Sequence, residues 1–360
     1  MSRLSVVHGP LVASATTRHS GGIGPRRWHI GGYRPTGEPS LTLSVGHPDR
    51  QPGNGPMTDA DLQSLVPLLA CPQCGSASLS SPVRASAFAC AGCRASFPRS
   101  PSGALDLRPQ RPRTLSQAFE IDPRPDRAFA ASVRPLPIRA EPEVDFSGMQ
   151  PPPHLTRALL SHFPSADHPG QPMLDIGCGD GAHRPVCEHA GFRYVGLDYD
   201  SAKADILADA HLLPFRDQTF QFVISIAVLH YLHFPLQAMR EVYRVLKPGG
   251  VFIGNVAFLE PFHGTLYHHT HWGTEHSLRQ GGLEVRHLGP TPDWPVLTAQ
   301  AEMGLFPRMP PILPRAIVAP VQWLHRLWWA AGGLIREGAN EAIRRSNTAG
   351  SFDFVAYRPR

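Results

Sequence analysis

The sequence predicts an α/β domain preceded by a small metal-pinned unit and an unstructured tail. Three observations carry that expectation. From Met173 onward, short apolar runs alternate with segments of helical periodicity, as strands and helices taken in turn do. The first of those runs ends in a glycine-rich turn, Gly177-Cys-Gly179-Asp-Gly181. Upstream, four of the six cysteines fall into two Cys-x-x-Cys pairs.

The chain is long enough for two or three folding units, and 42% hydrophobic residues suffice for a sizeable core. Proline is in excess, 39 of 360, about twice its usual share, and so much proline cannot sit inside helices and central strands. Residues 1–56 hold seven prolines and ten glycines without hydrophobic periodicity, a disordered composition. Met57 starts a more regular run, so those 56 residues read either as a genuine tail or as a mis-assigned start. The tail also carries most of the net charge of +5. It has six arginines against Glu38 and Asp49, which leaves 28 basic and 27 acidic residues in the body. A basic nucleic-acid groove is therefore not implied by the total. No apolar run is long enough to span a membrane, no signal-peptide core is visible, and a cytoplasmic location is the default expectation.

The first unit, residues 57–108, is expected to be a zinc ribbon. Cys71-Pro-Gln-Cys74 and Cys90-Ala-Gly-Cys93 stand 15 residues apart. Two such knuckles aim four thiolates at one point, a closed tetrahedral site suited to structural Zn²⁺ with no position left for water. A redox dithiol or four unrelated buried cysteines are the alternatives. A second Pro-rich stretch, residues 109–153, reads as a linker with one short helix near Thr114–Phe119.

In the main domain, residues 154–360, Pro172-Met-Leu-Asp175-Ile is the first strand and a helix begins near Ala182. Gly177, Gly179 and Ala182 also satisfy the dinucleotide fingerprint, so the turn alone does not choose a ligand. Charge does. Asp175 and Asp180 would repel a pyrophosphate, whereas S-adenosylmethionine has no phosphate and carries sulfonium and ammonium cations. Tyr194-Val-Gly-Leu-Asp198 is the second strand, ending in an acid suited to ribose hydroxyls; Tyr199 follows it. Leu207-Ala-Asp209-Ala210 places a third acid after a third short strand, suited to an adenine amine. Gln221–Ala227 is the fourth strand, Pro235–Leu246 an amphipathic helix, and Val251 opens the fifth strand. Glu275–Gly281 is expected as a helix, Leu283–Leu288 as the sixth strand, and Ser351–Tyr357 as the antiparallel seventh.

Leu-Asp-Ile-Gly-Cys-Gly-Asp-Gly, Asp-Ala…Leu-Pro-Phe and Arg-Val-Leu-Lys-Pro-Gly-Gly, in this order, resemble class I S-adenosylmethionine-dependent methyltransferases of the "type 11" group over about Met173–Val256. The resemblance implies a Rossmann-like seven-stranded sheet with one antiparallel strand and cofactor at the strand C-termini. It implies that Asp175, Gly177, Cys178, Gly179, Asp180 and Gly181 hold the methionine part. Asp198 with Tyr199 would hold the ribose, and Asp209 with Ala210 the adenine. Gln221 stands where the family usually has Asp, and Tyr199–Ala204 is too short for the usual helix. Cys93-Arg-Ala-Ser-Phe-Pro…Gly103-Ala-Leu-Asp-Leu is similar to zinc ribbons fused to methyltransferases. It differs from the zinc site of bacterial rRNA guanine-N1 methyltransferases, whose last ligand is a histidine.

A base is needed only for a nucleophile that must lose a proton. His230 follows the fourth strand, and His263, His268, His269, His271 and His276 crowd the loop after the fifth. His268, His271 and His230 are the candidate bases, with Tyr267 and Trp272 as walls, although for any single histidine a polar loop or helix-cap role is the more common one. An insertion, residues 292–347, carries the hydrophobic piece Val318–Ile335; it is expected to cover the substrate mouth as a lid or to lie at a membrane surface. The expected activity is methyl transfer to a small-molecule, glycan or lipid-type acceptor. An rRNA or tRNA methyltransferase using the ribbon as RNA reader, and a non-catalytic cofactor-binding scaffold, are the rivals.

Overall fold

The computed structural model describes residues 63–80, 87–115, 136–261, 265–292, 294–335 and 341–360. All lie within one compact unit, Gly55–Arg360. The tail and almost all of the helix expected over Thr114–Phe119 lie outside the described residues.

Strands β1 (Leu79–Ser80), β2 (Ala87–Cys90) and β3 (Ser96–Pro98) form a small antiparallel sheet on which the cysteine knuckles sit. The chain then supplies β4 (Leu105–Asp106), β5 (Gln171–Ile176), β6 (Phe192–Asp198), β7 (Ile206–Leu207), β8 (Phe220–Ile226), β9 (Leu246–Ala257), β10 (Glu284–Pro290) and β11 (Ser351–Tyr357). These eight pair in the order β10-β11-β9-β8-β5-β6-β7-β4. Seven are the strands expected of the main domain, with β11 antiparallel to both its neighbours. The eighth comes from the ribbon: β4 adds in parallel to β7, Leu105 opposite Ile206.

Burial explains the addition. Leu105 and Leu107 are fully buried, and they share one core cluster with Leu69, Phe88 and Phe97 of the ribbon and Val195, Ile206 and Phe215 of the domain. The loop after β7 closes the joint. The Ala70 N–H donates to the Pro214 carbonyl at 3.0 Å, and Arg216 donates from Nε to Leu69 O and from Nη2 to Ala77 O. The ribbon is thus part of the domain's core, not a bead beside it.

The helices are α1 (Arg157–Leu160), α2 (Arg184–His189), α3 (Pro235–Val245), α4 (His271–Gln280), α5 (Val296–Ala299), α6 (Ile312–Ile335) and α7 (Glu341–Asn347). Two boundaries differ from expectation. β9 starts at Leu246, so the Lys247-Pro-Gly-Gly turn is absorbed into the strand. α4 starts at His271 because the Thr270 hydroxyl caps it, accepting the Gly273 N–H at 3.0 Å. Residues 136–153, expected as linker, pack instead: Leu136 and Phe146 are buried with Leu159 and Phe163 in the second core cluster. Apolar anchors without period, set among prolines, leave no pattern to read. Among the described residues no helix is long and apolar enough to cross a membrane.

β11 carries a fully buried acid. Asp353 accepts hydrogen bonds from Asn255 Nδ2 (2.6 Å), Thr291 Oγ1 (2.8 Å) and Thr156 Oγ1 (3.1 Å), tying β9, the end of β10 and the cap of α1 together. Burial pushes its carboxyl up to about 6, against the three donated bonds, which pull it down. Native Asp353 therefore keeps its proton over a range where the unfolded chain, near ~3.9, has lost it. Its stabilising contribution is complete below pH about 4 and falls by about 1.4 kcal/mol per unit until pH about 6. Urea unfolding between about pH 4 and 7 should show this decline in the wild type and a shallower one in Asp353→Asn.

Candidate cofactor and active site

At the C-terminal ends of β5, β6, β7 and β8 lies a cavity of about 1380 Å³. Its floor is made by Ile176 and Gly177 from the first strand and turn, Asp198 and Tyr199 from the second, and Asp209 and Ala210 from the third. The segment after β8 contributes Tyr231, His233 and Phe234. The remaining wall is residues 108–113, the chain leaving the ribbon.

The turn is built for close approach. Gly177 has φ +75°, and a Cβ there would stand 2.3 Å from Val228 Cγ2. Gly179 and Gly181 also lie in the left-handed region, at φ +54° and +79°. Asp198 holds the turn in place: Oδ2 accepts the Gly179 N–H at 3.0 Å, and Oδ1 accepts those of Asp200 and Ser201. A carboxylate offers about four acceptor sites, so capacity remains for a ligand hydroxyl. Asp180 is exposed beside the turn and accepts the Ala182 N–H.

Asp175 and Cys178 do not reach the cavity wall. Asp175 is fully buried beneath the turn; its Oδ2 accepts the Tyr194 hydroxyl at 2.6 Å and lies 3.0 Å from His183 Nδ1. The other His183 nitrogen faces the Pro153 carbonyl at 3.4 Å. Both partners offer acceptor oxygens, so the geometry suits a ring that carries hydrogen on both nitrogens. Burial is the largest influence and works against the His183 charge, but the hydrogen bond and the charge of Asp175, with the Pro153 carbonyl and Asp180, together outweigh it and raise the histidine's pKa. Cys178 packs under the same turn, where burial pushes its thiol pKa upward.

Asp209 sits in the wall with His211. Its Oδ1 accepts from His211 Nδ1 at 2.6 Å and from the His211 backbone N–H at 2.9 Å. His211 Nε2 accepts the Phe234 N–H at 3.1 Å, which fixes the tautomer with its proton on Nδ1. Burial alone would raise the Asp209 pKa, but these bonds hold it below the usual carboxylate range.

The expected bases lie elsewhere. His230 is buried; its Nδ1 accepts the Ala257 N–H at 3.4 Å and its carbonyl receives Leu266 and Tyr267, so it anchors the following loop. His268 is exposed, bonded through Nδ1 to the Phe258 carbonyl. His271 opens α4 with its ring against Trp272 and Phe352. None of the three lines the cavity, and neither do Tyr267 and Trp272. His263 lies outside the described residues. Two imidazoles line the cavity: His211, with both nitrogens engaged, and His233, whose ring has no hydrogen-bond partner among the described residues. Its signal was present in His230-Tyr-Leu-His233, directly after the fourth strand.

Sequence reading also missed the wall at residues 108–113, because an irregular strap has no period. The structure shows what holds it. Arg108 makes a bidentate pair with Asp106, at 2.6 and 2.9 Å, and its Nη1 donates to the Tyr199 carbonyl. Gln110 bonds to the Ser96 carbonyl, the Arg111 N–H donates to Gln73 Oε1, and Arg113 Nη1 donates to Pro72 O at 2.8 Å. Pro72 and Gln73 are the two residues between the first pair of cysteines. The four cysteine sulfurs lie within 4.8 Å of one another, with Cys71–Cys93 at 3.7 Å and Cys74–Cys90 at 3.6 Å.

Residues 174–254, which hold the strands, the turn and both wall acids, match the family described as methyltransferase domain. This segment is a methyltransferase domain. Relatives align over the same region. A probable S-adenosylmethionine-dependent methyltransferase of Mycolicibacterium smegmatis is 32% identical over 119 residues, 26% of this chain and 45% of that protein. The mitochondrial arginine-hydroxylase NDUFAF5 of Mus musculus is 35% identical over 96 residues, 22% of this chain and 27% of its own. The probable tRNA methyltransferase 9B of Bos taurus is 35% identical over 103 residues, 25% and 22% of the two chains. The chain thus spans less than half the length of each of these relatives. What they share with it is the methyltransferase domain.

The geometry of the turn makes a direct prediction. Gly177→Ala would force a Cβ into Val228 in a backbone conformation L-residues avoid. Affinity for S-adenosylhomocysteine, measured by calorimetry, should fall at least tenfold in this variant; Val228→Ala in the same background should recover part of the loss.

Proposed function

We propose that this protein is an S-adenosylmethionine-dependent methyltransferase acting on a small-molecule, glycan or lipid-type acceptor that enters beside His233. The observation that carries the reading is the division of one cavity into two chemistries. Asp198 and Asp209 line one part, where hydroxyl and amine donors of an adenosine would be received. Tyr231, Phe234 and the imidazole of His233 line another. The residues fit the cofactor in charge as well, since acids on the floor suit a cation and disfavour a pyrophosphate.

The cofactor, when bound, supplies a methyl group on a sulfonium that is transferred by in-line displacement. The chain's own part is to orient and to exclude water. The turn fixed by Asp198 sets the depth of the cofactor, and the strap at 108–113 closes the wall beside it. His233 takes the proton of an acceptor hydroxyl. On this reading His233→Ala lowers kcat about 10²–10⁴-fold with S-adenosylhomocysteine affinity unchanged. Turnover within about threefold of wild type would remove the base while leaving the cofactor reading intact.

A second reading, an RNA acceptor, draws on Arg108, Arg111 and Arg113 in the wall. Arg108 is neutralised by Asp106, which leaves two cations against two wall acids and a nearly neutral body. A steep salt dependence of tRNA affinity would favour it over the first.

We further infer that Cys71, Cys74, Cys90 and Cys93 hold a structural zinc. A tetrahedral ion with bonds of ~2.3 Å sets its sulfurs about 3.8 Å apart, close to the spacing of the four thiols. The strap hangs on Pro72 and Gln73, so the metal would stabilise the cavity wall as well as the ribbon. Elemental analysis should find one zinc per chain, and its removal by chelator should weaken S-adenosylhomocysteine binding. Metal-free protein that binds it equally well would separate the two sites.

A further inference from the structure

Helix α6 buries only a narrow strip and turns most of its apolar surface outward. The strip that faces the body is Pro314, Val318, Gln322, His325 and Trp329, of which Pro314 and Val318 are buried. Gln322 donates to Thr298 Oγ1 at 2.9 Å, and with His325 it lines a cavity of about 350 Å³ at the helix's base. Beside that strip, one residue earlier at each step and so about 100° round the helix, stand Leu313, Ile317, Val321, Leu324 and Trp328, with exposures rising from 46% to 76%; Val321 also borders the basal cavity. Ile312, Trp323 and Leu327 continue this surface at 74%, 59% and 47%. At ~3.6 residues per turn the exposed apolar arc covers about half the helix circumference. No described residue of the insertion lines the cofactor cavity, so the exposed face of α6 is not turned toward it.

Charge and composition choose the occupant. α6 contains two arginines and no acid. Arg315 is paired with Glu302, whereas Arg326 has no partner among the described residues and falls at the edge of the arc next to Trp323. Arg326 shares the basal cavity with His325, Arg344 and Arg345, and among the described residues the only acid paired to these is Glu341. An arc this wide exceeds the narrow two-in-seven seam that a partner helix covers. It suits a plane, and tryptophan at the edge of such a face is the residue of a membrane interface.

We propose that α6 seats the protein on an anionic lipid bilayer, its apolar arc at the boundary between headgroups and acyl chains and Arg326 toward the phosphate layer. Flotation of the full chain with phosphatidylcholine vesicles, with and without phosphatidylglycerol, tests this. The protein should float with the anionic vesicles, with its tryptophan emission blue-shifted and quenched by brominated acyl chains. Arg326→Gln should cost about fivefold in affinity for those vesicles, as expected of one cation at such a surface. Leu324→Glu with Trp328→Glu should abolish flotation without moving the thermal midpoint, since both side chains already face solvent. Wild-type protein that stays in the soluble fraction overturns the proposal. So does a wild-type dimer that the same double substitution disperses without any vesicle-bound protein, which would assign the face to a second copy.

Discussion

The pairing of Leu105–Asp106 with Ile206–Leu207 is the constraint on which the rest depends. It makes the end of the ribbon the edge strand of the main sheet, and so decides where the next residues must run. Residues 108–113 leave that edge beside Tyr199 and become a wall of the cavity. Parallel pairing at a two-residue strand is weak by itself. It holds here because Leu105 and Leu107 are wholly buried in a core shared by both units, and burying a leucine is worth about 1.5–3 kcal/mol. The strap is then fastened at its other side to Pro72 and Gln73 of the first knuckle. Ribbon, strap and cavity wall form one continuous chain of contacts, which gives the geometry of the four cysteines a consequence at the cavity.

A second constraint lies under the glycine turn. Burying Asp175 as a carboxylate is costly unless it is paired, and His183 and Tyr194 both face the same oxygen. His183 lies just ahead of α2 and Tyr194 is on β6, so the pair fastens the turn to the elements on either side of it. An acid at this point in the sequence therefore acts from below the turn, positioning it. Asp198 and Asp209 are the acids that line the cavity. Removing the Asp175 carboxylate would take away what raises the His183 pKa and leave the buried Tyr194 hydroxyl without its acceptor, so the position resists change for reasons of packing and hydrogen bonding.

The main domain was legible because its signals are periodic or punctuated. Apolar runs, Gly177-x-Gly179 and the acids at Asp198 and Asp209 each mark a strand end, and those acids stand in the cavity wall. What escaped reading has no period. Residues 136–153 bury Leu136 and Phe146 through irregular chain, and the strap closes the cavity without any secondary structure. The histidines misled for a different reason. A cluster in sequence, His268 to His276, suggested a site, but Thr270 caps a helix in the middle of it and turns His271 toward Phe352. His230 is drawn into the core by the need to satisfy the Ala257 N–H, and three residues later His233 takes the place at the cavity. Side-chain direction is fixed by such local bonds, which residue type does not reveal.

Topology connects the helix that turns outward to the cavity. β5, β6, β8 and β9 run parallel, and β10 runs with them because β11 is antiparallel to both β9 and β10. The insertion leaves the C-terminal end of β10 and returns at the start of β11, so it emerges from the same edge of the sheet that bears the cofactor cavity. An apolar helix at the opposite edge would have no bearing on the reaction. At this edge, a bilayer under α6 would lie on the side from which an acceptor approaches. Among small-molecule, glycan and lipid-type acceptors, the last would then need no passage through water between its membrane and His233. The neutral body is consistent with that division of labour, because attraction to an anionic surface is concentrated around Arg326 instead of spread over the protein.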